Sequence, residues 1–278
     1  MEDLSKPMLR EPAPEGFDVG SAKVSAALLG RLLPTSTAHQ SRLQIFQPTR
    51  RPKWQERRIE TPWGLATVRG CIGQVHADVL ESLCRYAEAS RVVPETGHLM
   101  LLVDPYKIRV TVGAGEAYSK TTFWRLLTEL RKVSVMLDIS SPQIKMLGGI
   151  LSSVAGSTAT RPNRLTPGRD RSMLRVTLEP SFALLMAEDH PFYYDPAPLA
   201  KLKCGIAQAV ARHVLTHRES PQGGWLIDTL IQAVGAGGVN NADLRKRRME
   251  LNARRELFAE IGIVIKDGRV TKTDSAPH

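Results

Sequence analysis

The sequence predicts a mixed α+β fold in which two halves of the chain repeat one order of elements. Each half is expected to contain a helix, a spacer, a second helix with a basic exposed face, and a β-hairpin. The two basic helices are predicted at 119–133 and 241–261, and a hairpin is expected directly after each of them. The halves share no residue-level identity, so the repeat is a prediction about architecture alone.

The helix predicted at 241–261 has clear start and stop signals. Asn240 and Asn241 are good N-cap residues, and the carboxylate of Asp243 in the first turn suits the positive helix end. Gly262 is expected to end the helix. Apolar residues at helical spacing predict its buried stripe, which comprises Leu244, Leu251, Phe258 and Ile261.

Another face of this helix is strongly basic. Between Leu244 and Arg255 the chain has six basic residues and one acid, Glu250. Arginine can pair with guanine and asparagine with adenine in bidentate fashion, and each pair contributes ~1–3 kcal/mol of discrimination between bases. The residues expected to face a DNA groove are Arg245, Arg248, Asn252 and Arg255, and Asn241 is a further expected DNA contact at the helix start.

The segment after Gly262 predicts a hairpin with a basic tip. Strands at 263–265 and from Val270 flank an Asp-Gly turn, and Asp-Gly between alternating apolar residues is a strong hairpin signal. A basic helix followed by such a hairpin is typical of a winged-helix domain, whose helix enters the major groove while the wing lies on the DNA backbone. Phosphate contacts are therefore expected from Lys246, Arg247, Lys266 and Arg269.

Two alternatives to this interpretation stay open. The basic helix can be a solvated amphipathic helix packed on a small sheet, which is what most charged runs are. Arg247 and Arg254 lie near the apolar stripe, so either can make an intramolecular salt bridge instead of a DNA contact.

The first half is expected to contain a second winged-helix domain. Ser119 or Thr121 can cap the helix at 119–133, and 135–139 and 144–154 are predicted as the strands of a longer wing. The residues expected to point inward are Phe123, Leu126, Leu127 and Leu130, and those expected to point outward are Lys120, Trp124, Arg125, Thr128, Arg131 and Lys132. The expected DNA contacts are Lys120, Thr121, Arg125 and Arg131.

Length and charge limit the number of domains and the kind of partner. The 278 residues predict an N-terminal extension at 1–57 and two domains at 58–172 and 173–278. A formal net charge of +10 favours a polyanionic partner, nucleic acid before membrane. No apolar run approaches the ~18 residues of a membrane span, and no signal peptide is evident. Three widely spaced cysteines predict reduced thiols in a cytoplasmic protein.

The N-terminal extension is predicted in several parts. Residues 1–20 are expected to be disordered, 21–33 to form a short amphipathic helix, and 35–40 to be a polar bridge. The basic segment that follows suits an arm lying on phosphates, and a solvated linker is an equal alternative. Its basic residues are Arg42, Arg50, Arg51, Lys53, Arg57 and Arg58, with Phe46 and Trp54 between them.

The remaining pattern predicts the framework around the two basic helices. A strand is expected at 106–112, and the seam between the domains is expected at the Pro/Gly loop 161–172. A long helix is predicted at 198–217 and a shorter one at 225–234.

Three enzyme-like patterns are weak. The segment 113–121 lacks the glycines of a phosphate-binding loop. His213 and His217 have a zinc-compatible spacing on a helix, but no third ligand is evident, which favours a helix-end pair. Tyr193 or Tyr194 suggests the nucleophile of a nicking enzyme, but the metal motif of such enzymes is absent. The sequence therefore predicts a non-enzymatic protein with no catalytic residues, metal or cofactor.

The second half also resembles a known family. The segment Leu226-Ile227-Asp228-Thr229-Leu230, a glycine-rich gap, and then the run from Leu244 to Arg248 are similar to the C-terminal part of plasmid replication initiators. The RepC type of IncQ plasmids is the nearer group, and the TrfA-like initiators are more distant. The chain has Leu244 where the RepC-type pattern has methionine. The similarity covers roughly 60–270 and is specific only at 226–261.

This resemblance implies tandem winged-helix domains that bind directly repeated sequences (iterons) in double-stranded DNA at a plasmid origin. Such proteins promote origin opening, admit the replication helicase or its loader, and in some cases act as homodimers. The residues that carry over as DNA contacts are Arg245, Lys246, Arg247 and Arg248. A winged-helix transcriptional repressor and a DNA-nicking enzyme are the alternative functions.

Overall fold

The computed structural model describes residues 33–141, 143–162, 168, 170–236 and 240–273. Its strands are β1 Ser36–Thr37, β2 Gln55–Thr61, β3 Gly64–Gly70, β4 Ala89–Val92, β5 Leu99–Val103, β6 Ser134–Ile139, β7 Ile144–Gly148, β8 Leu151–Pro162, β9 Asp170–Leu178, β10 Pro191–Phe192, β11 Trp225–Leu226, β12 Ile263–Lys266 and β13 Arg269–Lys272. Its α-helices are α1 Ala38–Arg42, α2 Gln74–Arg85, α3 Pro105–Val112, α4 Lys120–Arg131, α5 Pro180–Glu188, α6 Pro196–Lys201, α7 Gly205–Leu215, α8 Ile227–Ile231, α9 Asn241–Asn252 and α10 Arg255–Ala259, and a π-helical turn at Gln232–Ala236 continues α8. The predicted mixed α+β class is confirmed.

The first half has one hydrophobic core, whose residues run from Leu33 to Met186 along the chain. Two four-stranded antiparallel sheets contribute to it, with strand orders β2-β3-β6-β7 and β4-β5-β9-β8. Their strands alternate as strands with one buried face should: in β6, Val135 and Leu137 are buried while Met136 is exposed. Helices α2 to α5 complete this core.

The second half has a separate core, whose residues run from Tyr194 to Val270. Helices α6 to α10 pack with a three-stranded antiparallel sheet of order β11-β13-β12. The predicted hairpin is confirmed, with Ile265 paired to Val270 across it. Asp267 and Gly268 at its tip have φ angles of 49° and 71°, the positive values that a tight hairpin turn with this twist requires.

The boundary predicted at 172/173 is wrong, because it falls inside strand β9. Leu174, Val176 and Leu178 of this strand belong to the first core, and so do residues of α5. The chain passes from one core to the other between Met186 and Tyr194. The Pro/Gly loop expected at the seam instead joins β8 to β9, and 163–167 and Arg169 lie outside the described residues.

The wing predicted for the first half is also wrong. Strand β6 pairs with β3, so β6 and β7 extend the sheet that begins with β2 and β3. The hairpin that joins the sheet of β4 and β5 is β8–β9. Both hairpins alternate apolar and polar residues, so local sequence does not distinguish which one packs beside β5.

The N-terminal extension is shorter than predicted. Leu33, Leu43 and Phe46 are buried in the first core, and the expected polar bridge contains β1 and the start of α1. β1 pairs with β10 (Ser36 with Phe192). The predicted disorder at 1–20 and nearly all of the predicted helix at 21–33 lie outside the described residues.

Three other local predictions are corrected. The strand expected at 106–112 is helix α3, because Asp104 accepts a hydrogen bond from the Tyr106 N–H at 2.9 Å and Pro105 fits the first helical turn. The long helix at 198–217 is broken into α6 and α7 near Lys203, whose φ is 46°. Trp225–Leu226 is a strand, not the start of a helix.

The basic helix at 241–261 is likewise broken into α9 and α10. Arg254 lies at the break, where its guanidinium donates to the carbonyl oxygens of Leu202 and Glu250, each at 2.8 Å. Arg254 therefore makes intramolecular hydrogen bonds to carbonyl oxygens, and the salt bridge considered for it is not formed with any described residue. No helix in the described part of the chain is long and apolar enough to cross a membrane.

Candidate nucleic-acid interface

Helix α9 is the most exposed helix of the second half. The Asn240 side chain caps it by accepting a hydrogen bond from the Asp243 N–H at 2.9 Å. Leu251 is its one buried residue, and Leu244 is half-buried against the second core. Most of its remaining side chains therefore face solvent, so burial alone does not decide which of them can reach a ligand.

Two of its arginines are held by the protein itself. The Arg248 guanidinium binds both carboxylate oxygens of Asp228 on α8, with Nε 2.6 Å from Oδ1. These hydrogen bonds lower the pKa of Asp228. Arg247 Nη1 donates to the Ala236 carbonyl at 2.7 Å. Arg248, predicted to face a groove, is thus engaged in an ion pair that links α9 to α8. Arg247 makes a hydrogen bond to a carbonyl and, within the described part of the chain, not the salt bridge considered for it.

The face of α9 left free has a mixed basic and apolar character. Its exposed residues, which lie on one side of the helix or at its ends, are Asn241, Ala242, Arg245, Lys246, Met249 and Asn252. Arg255 at the start of α10 is exposed as well. Met249 is 65 % exposed near the middle of this face. None of Arg245, Lys246 and Arg255 forms an ion pair with another described residue.

Met249 is the residue that the sequence interpretation missed. It lies four positions after Arg245, so it shares that residue's side of the helix. It falls outside the apolar stripe of Leu244 and Leu251, and this position in the sequence predicts that its side chain is exposed. An exposed methionine surrounded by arginine and lysine has no packing role in the described structure.

The β12–β13 hairpin of the second half presents two cations. Lys266 and Arg269 flank the exposed tip. Arg269 remains exposed, although its Nη1 donates to the Gly223 carbonyl at 3.0 Å. This bond fixes the direction of the guanidinium without neutralising its charge, so both predicted phosphate contacts are available at the surface.

Helix α4 confirms its predicted inward and outward faces. The Ser119 hydroxyl caps it by accepting a hydrogen bond from the Thr122 N–H at 3.0 Å. The four residues predicted to point inward are all buried: Phe123, Leu126, Leu127 and Leu130. The six predicted to point outward are all exposed: Lys120, Trp124, Arg125, Thr128, Arg131 and Lys132. Thr121, the remaining expected DNA contact, is exposed too.

Arg125 is partly neutralised on this face. Its Nη1 lies 3.0 Å from Glu129 Oε1, and His76 Nε2 lies 2.8 Å from Glu129 Oε2. Burial lowers the pKa of His76 even though Glu129 raises it. Lys120 and Arg131 form no ion pair with another described residue and are the freer cations of α4.

The predicted phosphate-binding arm divides into buried and exposed residues. Arg50 contacts Asp78 at 2.7 Å, and Arg57 donates to the carbonyls of Gln44 and Ile45. Burial lowers the pKa of Arg57 to about 10. Arg42 likewise has its partner within the protein, because its guanidinium donates to the hydroxyl and carbonyl oxygens of Thr216. The arm prediction is therefore wrong for Arg42, Arg50 and Arg57, because their partners lie within the protein.

The rest of the segment forms a basic patch near α4. Trp54 is 64 % exposed, with the Arg69 guanidinium 5.9 Å from its ring centre, and Arg51 and Lys53 are exposed beside it. Cys71 Sγ lies 3.3 Å from the Pro52 carbonyl oxygen. Burial raises the pKa of Cys71, and so does the charge of Glu129 on α4.

Of the two tyrosines weighed as nucleophiles, Tyr193 is exposed and Tyr194 is not. Tyr194 is buried, and its pKa is raised well above the ordinary value by burial and by Glu81. His213 and His217 lie with their Nε2 atoms 3.3 Å apart, and both rings contact Trp63. No group of three or more His, Cys, Asp or Glu residues suited to a metal ion occurs among the described residues.

Comparison with protein-family models finds no match for this chain, and comparisons with curated proteins and with solved structures find none either.

Proposed function

We propose that the protein binds double-stranded DNA through two winged-helix domains, one in each half. The observation that carries this proposal is a shared topology. In each half a helix and a strand (α2 and β5; α7 and β11) precede two further helices (α3 and α4; α8 and α9), and a hairpin (β8–β9; β12–β13) comes later. The first half has the additional strands β4, β6 and β7 within this order, and the second has the short helix α10 before its hairpin. The second strand of each hairpin pairs with the earlier strand, as β5-β9-β8 and β11-β13-β12. In each half the last long helix before this hairpin, α4 or α9, presents exposed cations.

The exposed groups fit the two kinds of DNA contact. Arginine and asparagine read base edges, so Arg245 and Asn252 are the proposed groove-reading residues of α9. Met249 between them suits apolar contact with a thymine methyl group. The cations at the wing tip, Lys266 and Arg269, suit phosphates, which position a protein without reading sequence.

We further propose that this DNA is a set of direct repeats at a plasmid origin, where the protein promotes opening and helicase loading. Support comes from the resemblance at 226–261 to RepC-type initiators. Of the four basic residues that this resemblance carries over, Arg245 and Lys246 are free, whereas Arg247 and Arg248 are held by Ala236 and Asp228. The first two are therefore the proposed contacts, and the last two are proposed to hold the helix in place.

A winged-helix repressor would use the same surfaces, so the DNA must distinguish the two functions. The test is a footprint on DNA flanking the gene, with permanganate probing of unpaired thymines. Protection of tandem repeats with reactive thymines alongside is the expected result. Protection of one palindrome without melting would replace the initiator by the repressor, and strand cleavage lost on Tyr193→Phe would favour a nicking enzyme.

Matched variants make the footprint specific. Arg245→Ala should abolish protection at concentrations where the wild type protects fully. Arg218→Ala removes an exposed arginine whose ion-pair partner, Glu219, is 4.0 Å away and exposed too. This variant should leave the footprint unchanged. Equal loss in both variants would mean that bulk charge, and not α9, carries the binding.

A further inference from the structure

One arginine of the second half is buried against a helix of the first. Arg212 on α7 is buried together with Asp78 and Glu81 on α2. Its guanidinium donates to both Glu81 oxygens at 2.7 Å, to Asp78 Oδ1 at 2.7 Å and to Gln74 Oε1 at 2.8 Å. Burial lowers the pKa of Arg212, but Glu81 and Asp78 raise it well above its ordinary value, so the arginine is charged.

A second arginine closes the cluster. Arg50 Nη1 donates to Asp78 Oδ2 at 2.7 Å and to Gln208 Oε1 at 2.9 Å, and its Nη2 donates to the Tyr118 hydroxyl at 2.9 Å. Gln208 Nε2 in turn donates to Asp78 Oδ2 at 2.9 Å. Two cations and two carboxylates therefore balance. The interdomain ion cluster comprises Arg50, Gln74, Asp78, Glu81, Gln208 and Arg212.

The chain before this cluster also joins the two halves. Gln44 Nε2 donates to the Ala233 carbonyl at 2.8 Å. Two glycines of the second half permit the close approach: a Cβ on Gly235 would lie 2.2 Å from Gln44 Oε1, and one on Gly205 would lie 2.2 Å from the Thr49 Cα. The segment 33–50 thus packs into the first core and contacts the second half.

Charges buried in this way oppose small displacements. Sliding α7 along α2 would separate Arg212 from its carboxylates and leave unpaired charges away from water, which is strongly unfavourable. A packed interface of this kind holds one arrangement and does not deform continuously. The cluster therefore favours one relative orientation of the halves.

We propose that the interdomain ion cluster fixes the angle between α4 and α9, so that the protein binds two DNA segments at one spacing only. The inference rests on the proposed DNA binding by both helices. Arg212 and Arg50 are positioning residues here, because Arg212 is buried and the guanidinium of Arg50 is bound within the cluster.

Base-pair insertion tests this directly. Each added base pair moves the second segment by ~3.4 Å and rotates it by about 35°, since B-DNA has about 10–10.5 base pairs per turn. A rigid protein cannot follow that rotation. Insertion of half a turn should remove the contacts of one half and lower the wild-type affinity on the order of 10²-fold, the typical gain from linking two binding units.

The key variant is the triple Asp78→Asn, Glu81→Gln, Arg212→Met. It removes the two carboxylates together with the buried Arg212 and leaves Arg50, at the edge of the cluster, with Gln208 and Tyr118 as hydrogen-bond partners. Fluorescence anisotropy would measure Kd on duplexes carrying both footprinted segments with zero to five inserted base pairs. The triple variant should bind the series with nearly constant affinity. The control Arg218→Met removes an exposed arginine just beyond α7 and should keep the wild-type spacing dependence.

A DNA-free measurement keeps the inference separate from the proposed function. Spin labels on cysteines at Thr128 and Asn252, both exposed, would report the distance between α4 and α9 in a chain whose native cysteines are alanine. One narrow distance is expected in the otherwise unchanged chain and a broad distribution in the triple variant. Arg50→Met, which removes one partner at the cluster edge, should broaden the distance distribution partially. This variant replaces the triple variant in the test if the triple variant does not fold.

The outcomes are distinguishable. If the triple variant keeps a narrow distance, or keeps the sharp spacing dependence, the ion cluster does not set the angle and the inference fails while DNA binding stands. Tolerance of insertions by the wild type would overturn it equally. If the wild type binds no footprinted duplex, the proposed function fails, and the spin-label distances alone decide whether the cluster fixes the halves.

Discussion

The two basic helices are fixed to their domains in different ways. Four residues of α4 are buried in the first core, whereas Leu251 is the one buried residue of α9. Helix α9 is held instead by Arg247 and Arg248, which bind Ala236 and Asp228, and by Arg254 just beyond its end.

This difference shows that basic residues of the same charge have different roles in the two helices. In α9 the basic residues divide into tethers and free side chains, because a helix with little apolar burial needs polar bonds to fix it. In α4 the core performs that task, and the one basic residue with an intrahelical partner is Arg125, through Glu129. A count of arginines therefore overstates the number of free cations more for α9 than for α4.

Removing a buried apolar side chain of α4 should give the largest loss of stability. Phe123→Ala deletes a side chain that is 2 % exposed, and it should lower the free energy of unfolding by about 3–5 kcal/mol. Urea unfolding followed by circular dichroism would measure this. The neighbour Trp124 is 44 % exposed, and Trp124→Ala should change stability by about 0.5 kcal/mol or less. Similar losses in both variants would contradict the assignment of faces.

Lowering the pH should destabilise the second half, because two of its histidines are buried in the neutral form. Burial lowers the pKa of His213 to about 3, and His217 and Arg42 lower it further. Burial lowers the pKa of His217 to about 4, with contributions from Arg42 and Lys272. The unfolded chain binds these protons near pH 6.5, whereas the folded protein does not, so stability is full above that pH and falls as the pH decreases toward 4.

The measurement is the Tm between pH 7.5 and pH 4.5. A double variant, His213→Gln with His217→Gln, should show a flatter decrease than the wild type. An unchanged pH slope in the double variant would assign the acid sensitivity to other groups, such as His76 in the first half.

Two arginines of α9 should separate base reading from helix positioning. Arg245→Ala should lower affinity for the specific site by about tenfold to 100-fold, the equivalent of ~1–3 kcal/mol, and relax the base preference at one position. Arg248→Ala should weaken binding to all sequences alike, because it removes the contact with Asp228 and not a base contact. Competition binding with singly substituted sites would measure both. A change of base preference in Arg248→Ala would show that this arginine leaves Asp228 to read DNA.

The smallest change in DNA affinity is expected at the tip of the β12–β13 hairpin. Arg269→Ala should reduce the slope of log Kd against log salt by about one, because one phosphate contact is lost. Lys120→Ala on α4 is the matched change in the first half and should give a similar reduction. Titrations at several salt concentrations would measure the slopes. An unchanged slope for Arg269→Ala would mean that its bond to Gly223 holds it away from the DNA.

The sequence alone determined the local features of both helices. The Asn240 cap, the Ser119 cap, the inward face of α4 and the Asp267-Gly268 turn each depend on residues a few positions apart, and the structure confirms all four. The mixed α+β class and the basic charge follow from composition and periodicity in the same way.

Only the tertiary structure decided which elements meet. Strands β6 and β8 both alternate apolar and polar residues, yet β6 pairs with β3 and β8 with β9. Arg50, Arg212 and Arg248 resemble solvated arginines in the sequence, but carboxylates distant along the chain bind them. Periodicity reports which face of an element is buried, whereas pairing and burial of charge depend on partners that no local pattern specifies.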